Sequence, residues 1–198
     1  VLKRQLSWQT DDLARQNIQA RVRAPAIWMM ANIRNALLLA TSNRSEAAVG
    51  YATMDGDTSG GLSPIAGIDK HYLREWLRFM ESNGLPESPP IKALSQINVQ
   101  NPTAELRPKD ANQTDEDDLM PYQVLDTLER AAIRDKKGPK SALQVIRATY
   151  PQHEEKQLID WTKKFYQLWC RNQWKRERYA VAFHVDCLLY TSPSPRDG

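Results

Sequence analysis

The sequence predicts the helix-rich back half of an α/β protein, on three observations. The apolar run Ala36–Ala40 lies between two helical patterns and fits a buried parallel strand. A second short apolar stretch, Leu62–Ile68, follows a glycine-rich turn region. Beyond Asp69 the pattern is almost wholly helical. Two strands do not make the sheet such a domain needs, so the missing strands are expected before Val1.

The chain has 198 residues, the size of one domain or part of one. Lys and Arg total 27 and Asp and Glu 24, a net charge of +3 that is too mild to argue for nucleic acid or a membrane surface. Its longest apolar run is far short of a membrane span. Cys170 and Cys187 supply neither a disulfide framework nor a four-thiolate zinc site. A secreted mini-protein, a membrane protein, a zinc finger and a collagen-like chain are excluded. A cytoplasmic enzyme or interaction domain remains.

Residues 11–34 read as one long helix capped by Asp11 or Asp12, with Leu13, Ile18, Val22, Ile27, Met30 and Ile33 at helical spacing and a kink at Pro25. Asn35–Thr41 is the first strand, with a buried helical segment as the competing assignment. Asn43 and Glu46 have capping-box spacing, which predicts a helix over Ser45–Thr53. Five of the eight glycines fall within 50–67, where they permit tight turns and close approach to a ligand. A helix over Asp69–Asn83 presents Leu73, Trp76, Leu77 and Met80 and stops at Gly84. Residues 84–120 are mostly loop, with five prolines and the acidic run Asp115–Asp118. Pro121 opens a helix to about Asp135. A helix over Lys140–Tyr150 follows, then a long one over about Gln152–Arg178 that buries Leu158, Trp161, Phe165, Leu168 and Trp169.

Ligands of open α/β sheets bind beyond the carboxyl ends of the strands. Thr41 and Ser42 lie at such an end and lead at once into a helix N-terminus, which favours an anion such as phosphate. Glu46 falls in that helix's first turn. Spacing alone leaves two roles open for it: completing the cap, or meeting a divalent metal beside the phosphate.

The segment Thr41–Asp57, reading TSNRSEAAVGYATMDGD, resembles the substrate-binding core of NAD synthetases. So do Pro64–Gly67 followed by Lys70, then Pro102–Leu106, then Gln113–Leu119, and finally Trp174–Tyr179 with Phe183 and His184. These motifs occur in the family's order across about residues 12–186, in the style of the bacterial glutamine-dependent branch. The resemblance implies a Rossmann-like adenine-nucleotide α-hydrolase fold, of which residues 1–186 are the C-terminal part of the synthetase domain. It implies adenylation of deamido-NAD by ATP, then displacement of AMP by ammonia obtained from glutamine. By motif position it implies Thr41, Lys70 and Thr103 as ATP contacts and Glu46 as a Mg2+ ligand. It implies Arg21, Lys175 and, next to it, Trp174 as deamido-NAD contacts. It further implies a homodimer or higher homo-oligomer, with the faces of helices 11–34 and 121–135 available for the interface.

The sequence departs from single-domain relatives at three places. Met54 stands for a substrate lysine, Gly61 for an aspartate and Trp174 for a histidine. Asp55 or Asp57 then become candidates for the lost contacts, and Trp174 either stacks on a base or packs in the core or surface. The family's Ser-Gly-Gly-x-Asp-Ser phosphate loop occurs nowhere in residues 1–198 and is expected before Val1. With part of an ATP site, the segment by itself is expected to be inactive. Cys187–Asp197 resembles the conceptual translation of a sequencing-library adapter, so residues 187–198 are expected to be non-native or disordered.

Other features favour plain roles. The acidic run at 115–118 reads as a solvated loop that caps the next helix, with a second metal site as the alternative. His71, His153 and His184 are too scattered for metal ligation, and Cys170 reads as core. Arg171, Lys175, Arg176 and Arg178 form a basic helix end that suits the helix dipole and could reach a substrate phosphate. Two other functions stay open: an inert helical interaction or RNA-binding module, and a different ATP-pyrophosphatase amidotransferase.

Overall fold

A computed structural model describes residues 7–100, 102, 106 and 115–183. Its helices are α1 (Trp8–Arg21), α2 (Arg23–Arg34), α3 (Arg44–Val49), α4 (Lys70–Ser82), α5 (Ser95–Asn98), α6 (Asp115–Asp118), α7 (Tyr122–Glu129), α8 (Pro139–Thr149), α9 (Glu155–Arg171) and α10 (Gln173–Arg176). The expected tail at 187–198, His184 and Thr103 lie outside the described residues.

Local signals account for most helix ends. Ser7, rather than Asp11 or Asp12, caps α1: its Oγ accepts from the Thr10 amide (3.2 Å), and Asp11 Oδ2 accepts in return from the Ser7 amide (3.1 Å). The expected single helix over 11–34 breaks at Val22, not Pro25. Proline lacks an N–H that a first helical turn does not need, so Pro25 sits without penalty at the start of α2. Asn43 and Glu46 form the expected capping box, but α3 ends at Gly50, whose φ of +66° terminates it before Thr53. Asp69 caps α4 through the Tyr72 amide (2.6 Å), and Gly84, at φ +69°, follows its end. The long C-terminal helix breaks at Asn172 into α9 and α10. Helix α7 continues as a π-helical turn over Arg130–Arg134, in which the Asp135 amide reaches back to the Arg130 carbonyl (2.9 Å).

The two expected strands are reduced to isolated parallel bridges, Leu39 to Leu62 and Ser63 to Ala182. The bonds are good where they exist: the Ala40 amide donates to the Leu62 carbonyl and the Ser63 amide to the Val181 carbonyl, each at 2.8 Å. A parallel ladder needs several successive bonds to a neighbour. Among the described residues, 35–41 has only the short stretch around Leu62. Leu37 and Leu39 are accordingly 63% and 49% exposed, rather than buried.

The core forms around α3 and α7, which α4, α8 and α9 enclose. Ala47, Ala48 and Val49 meet Val124, Leu125, Leu128, Ala131 and Ile133, with Ile146, Leu158 and Phe165 behind them. Helix α7 buries its apolar side in this core, while Gln123, Arg130 and Arg134 stay exposed. The apolar residues read at helical spacing on α1 and α2 are the exposed ones: Leu13, Ile18, Val22, Ile27, Met30 and Ile33, with Ala20, Ala24 and Ala31 inward. Cys170 is also exposed, because α9 turns Phe165, Leu168 and Trp169 toward the core instead. His153 has the structural role expected, edge-on to Trp161 at 5.0 Å. No helix among the described residues is long and apolar enough to cross a membrane.

Arg44 ties this core together. Its guanidinium meets Asp69 (3.1 Å), Asp126 (3.2 Å) and Glu129 (3.1 Å), all buried, and donates to the Gly67 carbonyl (3.4 Å). Burial pushes the Glu129 carboxyl up to about 7, against the opposing pull of Arg44, and raises Asp126 in the same direction.

Two outcomes follow. Arg44→Met takes the guanidinium from buried Asp69 and Glu129, leaves Asp126 to Arg130 alone, and is expected to cost roughly 3–5 kcal/mol in urea unfolding. The second is a pH dependence. Glu129 ordinarily titrates near 4.5 and in the fold near 7, so the folded state holds more protons between these values. Its contribution is complete below about 4.5 and is lost as pH rises through about 7. Unfolding free energy should therefore be lower at pH 8 than at pH 5.5, by about 2 kcal/mol. Glu129→Gln should flatten that difference.

Candidate functional site

Helix α3 is fixed at both ends by side chains from distant parts of the chain. At its start, the Arg44 amide donates to the Ile68 carbonyl (2.8 Å) and the Glu46 amide to Asn43 Oδ1 (3.1 Å). At its end, the carbonyls left over by a finishing helix are met from α9 and α10. Arg176 Nη1 donates to Ala48 O (2.9 Å) and Asn172 Nδ2 to Val49 O (2.7 Å). Lys175 Nζ donates to Gly50 O (2.7 Å) and Ala52 O (2.9 Å). Arg176 also lies over the Trp169 ring at 3.7 Å and donates to its carbonyl, which locks the α9–α10 corner.

This clamp forms one wall of a cavity of about 460 Å³, within the usual range of small-molecule sites. Leu13, Asn17 and Arg21 of α1 line it on one side, and Arg171, Asn172, Trp174 and Lys175 on another. The loop from Gly50 to Met54 closes a third side. Arg21, Trp174 and Lys175 thus meet in one place. Arg21 is held by its Nε, which donates to the Met54 carbonyl (3.0 Å). Met54, at the position of the lost lysine, contributes that carbonyl while its side chain is buried. Trp174 is half exposed on the lining. Burial lowers the Lys175 ammonium below its ordinary range; Asp57 opposes the shift and Arg171 adds to it.

A smaller adjoining cavity of about 190 Å³ shares Asn17, Tyr51 and Lys175 and adds Asp57, Leu106 and Asp118. Tyr51 donates to Asp118 Oδ2 (2.7 Å), which fastens the acidic segment to the site. Glu116 caps α7 by accepting from the Tyr122 amide (2.8 Å). Asp57 Oδ2 accepts from the Thr53 amide (2.8 Å), and Asp55 pairs with Arg178 (3.1 Å) at the surface.

Glu46 and Lys70 meet each other rather than this cavity, with Lys70 Nζ 2.8 Å from Glu46 Oε1. Glu46 Oε2 accepts from the Asn43 amide (3.4 Å). Among the described residues no three His, Cys, Asp or Glu side chains cluster to hold a metal ion. Glu46 offers at most one ligand, so these residues do not form a Mg2+ site by themselves. Thr41 lines a third cavity, of about 200 Å³, with Arg23, Ala40, Asp57 and Ser59. Asn172, Tyr51 and Arg44 escaped the reading of the sequence. The available signals were a polar residue interrupting an amphipathic helix at 172 and a charge set between two capping positions at 44.

Comparison with known proteins follows this geometry. The family model described as NAD synthase matches residues 1–178. A glutamine-dependent NAD(+) synthetase of Aquifex aeolicus is 36% identical over 172 residues, which are 87% of this chain and 27% of that protein. The crystal structure of a glutamine-dependent NAD(+) synthetase from Cytophaga hutchinsonii superposes with a TM-score of 0.71 at 45% identity, covering 93% of this chain and 28% of that one. The structure of NMN synthetase from Francisella tularensis shares the fold, with a TM-score of 0.57 at 22% identity, over 88% of this chain and 57% of that one. The chain therefore spans under a third of the length of the curated relatives it matches.

The clamp makes a prediction at Gly50. A Cβ there would lie 2.3 Å from Asn172 Cβ, on a backbone already at φ +66°. Gly50→Ala should lower unfolding free energy by roughly 2–4 kcal/mol, combining left-handed strain with overpacking. Denaturant titration would check it.

Proposed function

The chain belongs to the NAD synthase family, and on that premise we propose that it is the C-terminal part of the synthetase domain of a glutamine-dependent NAD(+) synthetase. The fold implied is the Rossmann-like α-hydrolase type. The parent protein adenylates the carboxylate of deamido-NAD with ATP and releases pyrophosphate. Ammonia drawn from glutamine then displaces AMP to give NAD. Its working form is a homodimer or higher oligomer, with the exposed apolar residues of α1 and α2 as the available face.

The observation that carries this reading is the convergence of Arg21, Trp174 and Lys175 on one cavity. They come from opposite ends of the chain; the family resemblance assigns Arg21 and Lys175 to deamido-NAD, and Trp174, which stands for the family's histidine, lies beside them. A guanidinium binds carboxylate or phosphate bidentately, and an indole offers a stacking face for a base or nicotinate ring. Holding the substrate carboxylate beside the α-phosphate of ATP removes much of the entropic barrier to their reaction.

On the ATP side the contributing residues are Thr41 and Lys70, with Thr103 assigned by motif alone. Lys70 can offset charge on departing pyrophosphate once it exchanges Glu46 for phosphate oxygens. Glu46 then becomes free to serve a Mg2+ ion whose other ligands come from outside these residues.

The test uses the full-length protein that carries this segment. Glu46→Gln is expected to reduce deamido-NAD-dependent pyrophosphate release by about 100-fold or more while glutamine hydrolysis stays within about twofold. Equal loss of both activities would point to misfolding and remove the assignment. The 198-residue chain alone should form no NAD in a coupled assay. Detectable turnover would overturn the view that it carries part of an ATP site.

A further inference from the structure

The acidic run at 115–118 reads from sequence as a solvated loop that caps the next helix, and one of its residues does that work. Glu116 accepts from the Tyr122 amide (2.8 Å) at the start of α7. Asp118 has a different setting. It is half-buried and lines the smaller cavity. Lys164 of α9 donates to its carbonyl (2.5 Å), which fixes the backbone there. Its Oδ2 accepts from the Tyr51 hydroxyl (2.7 Å), 67 residues away in sequence. Tyr51 is held at its backbone as well. Its amide donates to the Glu46 carbonyl (2.9 Å), and Lys175 Nζ holds the carbonyls on either side of it, Gly50 O (2.7 Å) and Ala52 O (2.9 Å). Tyr51 and Lys175 each line both the larger and the smaller cavity.

Resting on the deamido-NAD reading above, we infer that Asp118 is a positioning residue for that substrate: through the Tyr51 hydroxyl it sets the Tyr51 ring and the Gly50–Ala52 loop from which Lys175 presents its remaining donor. An ammonium has three donors, and Lys175 spends two of them on this loop. The direction of the third therefore depends on where the loop lies. A tyrosine ring tethered by its backbone alone can change rotamer. A hydroxyl that donates to a carboxylate makes a charge-assisted bond, one of the stronger kinds, and the ring is then fixed on the border of the two cavities. The loop that carries it cannot shift without breaking that bond. This work needs an acceptor oxygen at one place more than it needs a negative charge, and the Lys164 bond keeps that place constant. The residues assigned to ATP lie elsewhere: Thr41 lines a third cavity, and Lys70 pairs with Glu46. The effect of Asp118 should accordingly fall on deamido-NAD.

The experiment compares Asp118→Ala, Asp118→Asn, Tyr51→Phe and a double variant that combines Asp118→Ala with Tyr51→Phe. It uses the full-length protein, with ATP and deamido-NAD varied separately. Asp118→Ala and Tyr51→Phe should each raise the KM for deamido-NAD about five- to tenfold, leaving the KM for ATP, kcat and melting temperature nearly unchanged. The two substitutions remove the two halves of one bond, so the double variant should be no worse than either alone. Asp118→Asn keeps an acceptor oxygen and should recover most of the loss. The inference is overturned if Asp118→Ala leaves the deamido-NAD KM unchanged, or if the two losses multiply in the double variant. It is also overturned if Asp118→Asn is as damaging as Asp118→Ala, which would mean that the charge itself acts on the substrate. A residue that served only the fold would lower the melting temperature and raise both KM values together, and that result would overturn it too. Wild-type protein that consumes no ATP with deamido-NAD would instead bring down the functional reading on which the inference rests.

Discussion

A single buried guanidinium constrains most of this structure. Arg44 stands at the first position of α3 and reaches the cap of α4 through Asp69 and the body of α7 through Asp126 and Glu129. Complete burial is the main reason that Glu129 is held up near 7, with a smaller push from Asp126, and Arg44 pulls the other way. Such a cluster is a poor source of net stability compared with apolar packing. It is, however, highly directional. The fork fixes α3 in rotation and along its axis, and the capping box and the Glu46–Lys70 pair depend on that setting.

The far end of the same helix is fixed by different chemistry. Three side chains from 172–176 take four carbonyls from 48–52, with Gly50 leaving room for Asn172. A six-residue helix has little cooperative stability of its own. Here it is held as a rigid rod by contacts 85 residues away at one end and 123–128 residues away at the other. Lys70 thus meets this short element through Glu46 in its first turn, and Lys175 through the carbonyls just past its end.

What could be read from the sequence was what chemistry makes local. The Asn43–Glu46 box, the helix start at Asp69 and the amphipathic period of α9 are signals within a few residues, and they appear in the structure close to where they were read. The break at Val22, the short α3 and the kink at Asn172 depend on partners elsewhere. The apolar run at 36–40 was read as a buried strand because sequence records its apolarity but not its neighbours; beside the short stretch Gly60–Leu62 it leaves Leu37 and Leu39 exposed. The meeting of Arg21 with Trp174 and Lys175 was legible only through family resemblance, because no periodicity links residues so far apart.

The division of labour among the basic residues at 171–178 shows how composition alone misleads. All four read as one basic helix end, yet each charge has a different setting. Arg176 is buried against Trp169 and the end of α3, Lys175 is half-buried on carbonyls, and Arg178 pairs with Asp55 at the surface. That leaves Arg171 facing the cavity with its fork uncommitted among the described residues. A cation already paired would have to exchange one partner for another on ligand binding, at little net gain. An exposed cation without a protein partner exchanges only water for an anion, and the anion also relieves repulsion from its like-charged neighbours. Of these four charges, Arg171 is therefore the one that holds the least of the fold together.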